Sequence, residues 1–308
     1  MITACCNTPT LLMATYFTDM QKKLLSDIKF DLLQRYRLIE IVALWEGKLN
    51  AGHLTKYFGI GRQQASKDIN EYCNTVAPAN LRYNRSLKGY EPTDEFTPHV
   101  TAGNADEYLQ LISRNNDLLN TFADLSLGFD ASYQLVAPTF KVEPKVLRSI
   151  VNACKRNLRL EVDYRSVNAP NEDGRIIVPH AIVHAGARWH VRAFCEKNQD
   201  FRDFVLTRFY DEPDAMGVSK VTAKQDIKWH TMVNVCFMPD SRLSEAQQQI
   251  VAKDYGMTDK RLLISTRGAL VPYLMQLMRV DVNMIAADPR AQQVVIENMD
   301  GIKQWMFQ

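Results

Sequence analysis

The chain changes its hydrophobic period part-way along. Over residues 30–76 the apolar positions fall at helical spacing, with Leu32, Tyr36, Ile39 and Ala43 on one face and Gly47 as a stop. A second short helix follows, with Leu54, Tyr57 and Phe58 inward, until Gly59-Ile60-Gly61 breaks it. A third begins near Arg62 and buries Ala65, Ile69 and Tyr72. Residues 81–90 read as a short hairpin, with Asn84-Arg85-Ser86 at or near its turn. Pro92, Pro98 and Gly103 make 92–104 a linker; helical segments run on to about 125, and a polar, proline-containing join spans 137–144. From about 158 to 210 the period falls to two, in the runs Leu158–Tyr164, Ile176–His184, Arg188–Phe194 and Phe204–Phe209, with turns at Asn171-Glu172-Asp173-Gly174 and Ala185-Gly186. About five short strands at this spacing predict a small barrel. Past Pro239 strand and helix alternate again, in Val233–Phe237, Glu245–Asp254, Leu262–Ser265 and Leu270–Met278, which predicts a third, small α+β unit.

Length and composition narrow this picture. A chain of 308 residues has room for two or three domains, and 46% hydrophobic content is ordinary for packed cores. The longest apolar stretches fall short of the ~20 residues a membrane span needs. Met1–Met20 has no basic region ahead of an apolar one, so it does not read as a secretory signal, and a cytoplasmic protein with no membrane partner is expected. The six cysteines (Cys5, Cys6, Cys73, Cys154, Cys195, Cys236) form no C-x-x-C pair, so reduced thiols are expected and neither a metal site nor a cofactor.

The net charge of +2 hides a local excess. Between Lys56 and Tyr90 there are six basic residues (Lys56, Arg62, Lys67, Arg82, Arg85, Lys88) against two acids, Asp68 and Glu71. Asn50–Cys73 has the form of a helix-turn-helix, two short helices joined by a glycine turn. Its second helix presents Arg62, Gln63, Gln64, Ser66 and Lys67 at the N-terminal end. Arginine suits guanine, glutamine suits adenine, and a helix N-terminus favours phosphate. Arg82, Arg85 and Lys88 on the hairpin, interleaved with Tyr83 and Tyr90, are the expected wing. Together these are the electrostatic footprint of a winged helix on duplex DNA. The bland alternative is a solvated helical face.

In Arg188–Phe194 the alternation puts Trp189, Val191 and Ala193 on a buried face and Arg188, His190 and Arg192 on the other. Arg202 and Arg208, of equal parity, are expected on a neighbouring strand beside them, with Tyr164, Ser166 and His180 nearby. Converging arginines need a negative partner. A phosphate-bearing ligand supplies it, or internal acids do; Asp163, Glu196, Asp200 and Asp203 are the candidates.

This layout resembles the WYL domain of bacterial transcription regulators. Trp189-His190-Val191 stand where that family has Trp-Tyr-Leu, and Pro179, Gly186 and the run from Phe201 to Phe209 keep its order. His190 departs from the tyrosine of the pattern and adds pH sensitivity. The resemblance covers nearly the whole chain and extends to WYL repressors of the BrxR and CapW type that accompany anti-phage defence. It implies an α+β chain: an N-terminal winged helix-turn-helix (20–95), a helical linker (96–135), a central Sm-like β-barrel or WYL domain (136–225) and a small C-terminal α+β dimerisation domain (226–308). It also implies a homodimer on an inverted-repeat operator of double-stranded DNA. A nucleic-acid or nucleotide effector would be held by Tyr164, Ser166, His180, His190, Arg192, Arg202 and Arg208. The apolar run Ala269–Met278 would serve the dimer or close its own domain's core.

Two other functions compete. For a nucleic-acid-processing enzyme there is no P-loop, no H-E-x-x-H and no G-x-S-x-G, and Glu161 and Asp163 share a strand face without a third acid; no catalytic residue is assigned. An RNA- or nucleotide-binding adaptor on the Sm-like barrel would explain the cationic strand but not the helix-turn-helix. Binding to duplex DNA against single-stranded RNA separates these readings.

Overall fold

The computed structural model describes residues 28–119, 141–167, 174–185, 188–281 and 286–306. The expectations for Cys5 and Cys6, for helix beyond 119, for the start of the 137–144 join, for Asn171–Asp173 and for Gly186 fall outside them. The chain divides into two compact units, one within 13–136 and one from 137 onward.

In the first unit α1 (Phe30–Glu46), α2 (Ala51–Phe58) and α3 (Arg62–Glu71) enclose one core of Tyr36, Ile39, Val42, Leu54, Ala65, Ile69 and Tyr72. Asn50 caps α2 in a reciprocal capping box with His53. Gly59 closes α2 at φ +66, a left-handed conformation that costs glycine nothing and lets α3 start three residues later. β1 (Leu81–Asn84) and β2 (Gly89–Pro92) form the hairpin, and the Asn84 side chain accepts from the amides of Ser86 and Leu87. Leu49 and Tyr90 exchange both backbone hydrogen bonds, at 2.8 and 2.7 Å. A Cβ at Gly89 would lie 2.6 Å from the Leu49 carbonyl oxygen, so this close approach requires glycine. The helix α4 (Ala105–Leu119) follows.

Glu40 is buried in this core, yet it is heavily satisfied. It accepts from the Tyr72 hydroxyl, the backbone N–H groups of His99, Val100 and Thr101, and the Thr101 hydroxyl, all at 2.8–3.1 Å. A carboxylate so surrounded fixes the segment after the wing onto α1.

The second unit opens with α5 (Pro144–Arg156), which buries Val146, Ile150 and Ala153 against a five-stranded antiparallel sheet. The sheet runs β6 (Asp200–Val205), β5 (Arg188–Cys195), β4 (Arg175–Ala185), β3 (Leu158–Val162), β7 (Asp214–Val218). No ladder joins the edges β6 and β7 among the described residues, so the closed barrel that was expected is not found there. After β6 the chain enters a 3-10 turn, Leu206–Arg208, where a continuing strand was expected; the turn drops Leu206 and Phe209 into the core. β7 has every residue exposed, so it offered no alternation to read. A three-stranded sheet, β10 (Val294–Ile296), β8 (Met232–Pro239), β9 (Leu262–Arg267), then packs with α7 (Glu245–Asp254) and α8 (Val271–Leu277). Between the two sheets lies the single-turn helix α6 (Ile227–His230). In Ala269–Met278 the residues Ala269, Val271 and Met275 are buried in their own core, while Leu277 is 69% exposed.

Candidate nucleic-acid interface and effector face

At the start of α3, Ala65 and Ile69 are buried, and helical geometry therefore turns Arg62, Gln63, Gln64, Ser66 and Lys67 outward; all five are exposed. The two acids that opposed them in sequence differ in the fold. Asp68 is buried and accepts from Arg35 Nε at 2.7 Å and from Gln64 Nε2 at 2.7 Å. Its charge is thus spent inward, and the outer face is more positive than the count implied. Gln64 has one donor committed to that contact; no hydrogen bond of the Gln63 side chain is recorded among the described residues.

The wing carries Arg82, Arg85 and Lys88, all exposed. Arg82 pairs with Glu91 at 2.7 Å, and Asn84 donates to the same carboxylate. Tyr90 donates to Asn70 of α3 at 2.9 Å, and its ring meets Tyr83 edge-on at 5.3 Å, which fixes the wing relative to the helix. Between the starts of α2 and α3 and the wing lies a groove of about 470 Å³, lined by Asn50, Thr55, Lys56, Arg62 and Lys88 among others. Three cations around one concave surface can hold a phosphate backbone.

The central sheet is different. Val191 and Ala193 are buried towards α5, but Trp189, expected with them, is 46% exposed and sits at the strand end against the His184 ring. His190 and Arg192 do lie on the opposite face, yet that face is covered. Arg192 donates from Nε to Asp226 Oδ2 at 2.8 Å, from Nη2 to Asp226 Oδ1 at 3.1 Å and from Nη1 to Asp203 at 3.3 Å. His180 Nε2 stands 3.0 Å from the same Asp226 Oδ2. The ladder shifts register between Pro179 and Ala181, so His180 occupies a bulge that aims its ring at this point. Burial pushes the Asp226 carboxyl up, but the hydrogen bonds from His180 and Arg192 overcome that and hold it well below the usual carboxylate range. Tyr273 donates to Asp203 at 3.1 Å, and its ring packs on His190 at 5.0 Å. Burial lowers the His190 pKa, and its Nδ1 has no hydrogen-bond partner among the described residues.

The other expected ligand residues are spread around it: Arg202 lines a groove beside Arg192, and Arg208 is close enough to His190 to oppose its charge. Tyr164 is in the core against Phe204 and Phe209, and its hydroxyl accepts from the Val205 amide at 3.1 Å. Arg202 pairs in register with Ala193, so it takes the sheet face opposite to Arg192, and Arg208 belongs to the 3-10 turn; the equal-parity expectation fails because the strand ends at Val205. Ser166 is half-buried beyond β3. Sequence reading missed Asp226, 34 positions from Arg192; its signal is that of an N-cap, since it accepts from the Trp229 amide ahead of α6. Beside Arg192 a groove of about 280 Å³ is lined by Phe201, Asp203, Lys228, Tyr273 and Trp305 among others. The described residues contain no cluster of three or more His, Cys, Asp or Glu that could hold a metal, and no helix long and apolar enough to cross a membrane. Burial pushes the Cys154 thiol up to about 11, and burial with a hydrogen bond to Glu297 does the same for Cys236, so neither is an activated nucleophile.

A winged helix followed by a strand-rich domain and a small α+β domain defines a class of transcription regulator. Residues 31–114 match the BrxR transcriptional regulator winged helix-turn-helix domain, 145–211 the WYL domain and 232–302 the BrxR transcriptional regulator C-terminal dimerization domain. The chain is similar to the DNA-binding transcriptional repressor CapW of Pseudomonas aeruginosa, 34% identical over 280 residues, covering 88% of this chain and 90% of that protein. It is 31% identical over 277 residues to CapW of Escherichia coli, covering 87% and 90%, and 29% identical over 282 residues to CapW of Stenotrophomonas maltophilia, covering 91% and 94%. The chain belongs to this BrxR and CapW family of transcriptional regulators, whose named members are repressors and not enzymes. Among solved structures, proteasome accessory factor B/C of Arthrobacter aurescens aligns with 89% of this chain and 45% of its own, at 13% identity and a TM-score of 0.29, too low to carry an argument.

Proposed function

We propose that the protein is a homodimeric, sequence-specific DNA-binding repressor of a phage-defence operon, controlled by a nucleic-acid or nucleotide effector at the WYL domain. In this reading 20–95 bind DNA, 96–135 link, 136–225 sense the effector and 226–308 dimerise. The observation that carries DNA binding is the exposed row Arg62, Gln63, Gln64, Ser66 and Lys67, backed by buried Ala65 and Ile69 and flanked by the wing cations Arg82, Arg85 and Lys88. With α3 in the major groove and the wing on phosphate, a two-fold dimer reads an inverted repeat with half-sites one or more helical turns apart. Support for repression and dimerisation comes from the names of the relatives and of the C-terminal domain model.

The Sm-like barrel belongs to the same proposal. Its support is the 3-10 turn at Leu206–Arg208, after which Phe209 bridges to Tyr164 beyond β3 and the chain runs on into β7. The effector face is proposed at His180, His190 and Arg192, with Tyr164, Ser166, Arg202 and Arg208 around it. The test is titration of duplex DNA from the protein's own upstream region against single-stranded RNA, with light scattering on the free protein. Tight, salt-sensitive duplex binding by a dimer is expected; preference for the RNA, or a monomer with and without DNA, would refute the reading.

A further inference from the structure

The arginine that reads in sequence as an effector contact is already occupied. Arg192 is 5% exposed and Asp226 is 1% exposed. The two guanidinium nitrogens Nε and Nη2 take the two oxygens of one carboxylate, the fork geometry by which arginine also grips a phosphoryl group. His180 adds a third ring-nitrogen contact on Oδ2, and the Trp229 amide adds a fourth on Oδ1. We propose that Asp226 is a built-in stand-in for the phosphodiester of the effector, and that the effector exchanges with it on Arg192 and His180. The proposal rests on the effector-controlled reading above and names the chemistry of its site.

Three features favour exchange over a fixed structural pair. First, a buried ion pair adds little stability over an apolar filling of the same space, so its retention calls for another role. Second, Asp226 does not belong to the sheet. It sits at the head of a single turn, Ile227–His230, whose first residue is 73% exposed. That turn leans on the sheet through Trp229, 5.5 Å from the His180 ring, with the Arg267 guanidinium over the Trp229 ring at 4.5 Å and donating to the Trp229 carbonyl at 2.6 Å. Its departure would cost the Arg267 hydrogen bond to the Trp229 carbonyl but no strand ladder. Third, the groove of about 280 Å³ gives access to Arg192 and brings Lys228, with no ion pair among the described residues, beside aromatic walls from Phe201, Tyr273 and Trp305 on which a base can stack.

Charge selects the ligand class. A phosphodiester carries one negative charge, as the Asp226 carboxylate does, so the exchange leaves the charge around Arg192 and its second partner Asp203 unchanged. Inorganic phosphate near neutrality carries more charge and would meet Asp200 and Asp203, which share the groove wall with Arg202 and Lys228.

The experiment uses the full-length protein and follows Trp fluorescence, since Trp229 adjoins the site. Asp226→Asn keeps the shape and the helix cap but removes the competing charge. It should bind a short oligothymidylate about ten-fold more tightly than wild type, while inorganic phosphate binds neither protein comparably. Adding Arg192→Met to Asp226→Asn should abolish the gain. If Asp226→Asn fails to fold, Arg192→Gln carries the test and must remove the binding seen in wild type. Equal affinity of Asp226→Asn and wild type, survival of the gain without Arg192, no binding by either protein at millimolar oligonucleotide, or preference for inorganic phosphate each overturns the proposal. Operator titration on the same preparations separates this failure from that of the repressor reading, and release of operator by a ligand lacking phosphate would leave effector control standing while removing Asp226 as its stand-in.

Discussion

Two regions of this chain carry clustered cations, and the fold treats them in opposite ways. On α3 and the wing, Arg62, Lys67, Arg85 and Lys88 stand in water with no ion pair recorded among the described residues, and the nearest acid, Asp68, is turned inward onto Arg35. On β5, Arg192 is buried and its charge is cancelled by Asp226 and Asp203. Open cations attract any polyanion and respond to salt; a cancelled cation responds only to a ligand that can outcompete its internal partner. The same residue type therefore makes an affinity surface in one unit and a gated site in the other.

The largest expected effect tests whether β5 is truly cancelled. Arg192→Ala leaves the buried Asp226 carboxylate and the part-buried Asp203 carboxylate without their arginine and should destabilise the second unit by about 3–5 kcal/mol, whereas Lys67→Ala should change stability by less than about 0.5 kcal/mol. Urea unfolding followed by Trp fluorescence reads both, since Trp189, Trp229 and Trp305 report the second unit and Trp45 the first. Equal small losses would erase the contrast.

Next comes salt. Each of Lys67, Arg85 and Lys88 replaced by alanine should lower the slope of log affinity against log salt by about one unit for every DNA sequence. Arg82 should lower it less, because Glu91 already holds its guanidinium at 2.7 Å. A slope unchanged in the three, or an equal change from Arg82, would refute this division of the basic surface.

Base readout is a finer matter. Gln63→Ala should cost about 1–3 kcal/mol at one base pair and relax specificity there. Gln64→Ala should cost less, since its amide already donates to Asp68. Operator variants at single positions measure both. The reverse order would put Gln64 on the base edge.

Much of this contrast was hidden in sequence for a physical reason. Helical period is a local property, so Leu54, Ala65 and Ile69 could be placed inward and their outward neighbours follow. The strands of β4, β5 and β8 were legible by alternation in the same way. Strand register is not local. Nothing in the run from Phe201 to Phe209 says that Asp203, not Arg202, stands opposite Arg192, nor that the strand gives way to a 3-10 turn at Leu206. Trp189 fits the apolar parity of its strand but lies at the end, beyond the cover of α5. Asp226 is an ordinary N-cap in sequence, and only the packing of α6 on the sheet makes it the partner of Arg192 and His180.

The smallest expected effect concerns pH, and it distinguishes two acid-sensitive groups of the covered face. His190 is buried beside Tyr273, with Asp203 favouring its charged form and Arg188 and Arg208 opposing it; burial prevails and its pKa lies below the usual 6.5. The unfolded chain therefore takes up this proton first as pH falls. Stability from keeping His190 neutral is complete above about 6.5, is lost as pH drops towards the folded-state value, and falls no further below it. Asp226 behaves differently because its folded pKa is depressed. Its contribution is complete above the ordinary 3.8 and is lost only in more acidic solution. Between pH ~7 and ~5, then, His190 and not Asp226 should set the slope of this face. His190→Gln should flatten the dependence of the urea midpoint of the second unit over that range, while Asp226→Asn lowers the midpoint without changing its slope there. A slope that survives His190→Gln would assign the titration elsewhere, and one that disappears in Asp226→Asn would mean that the two groups titrate as a coupled pair across the sheet.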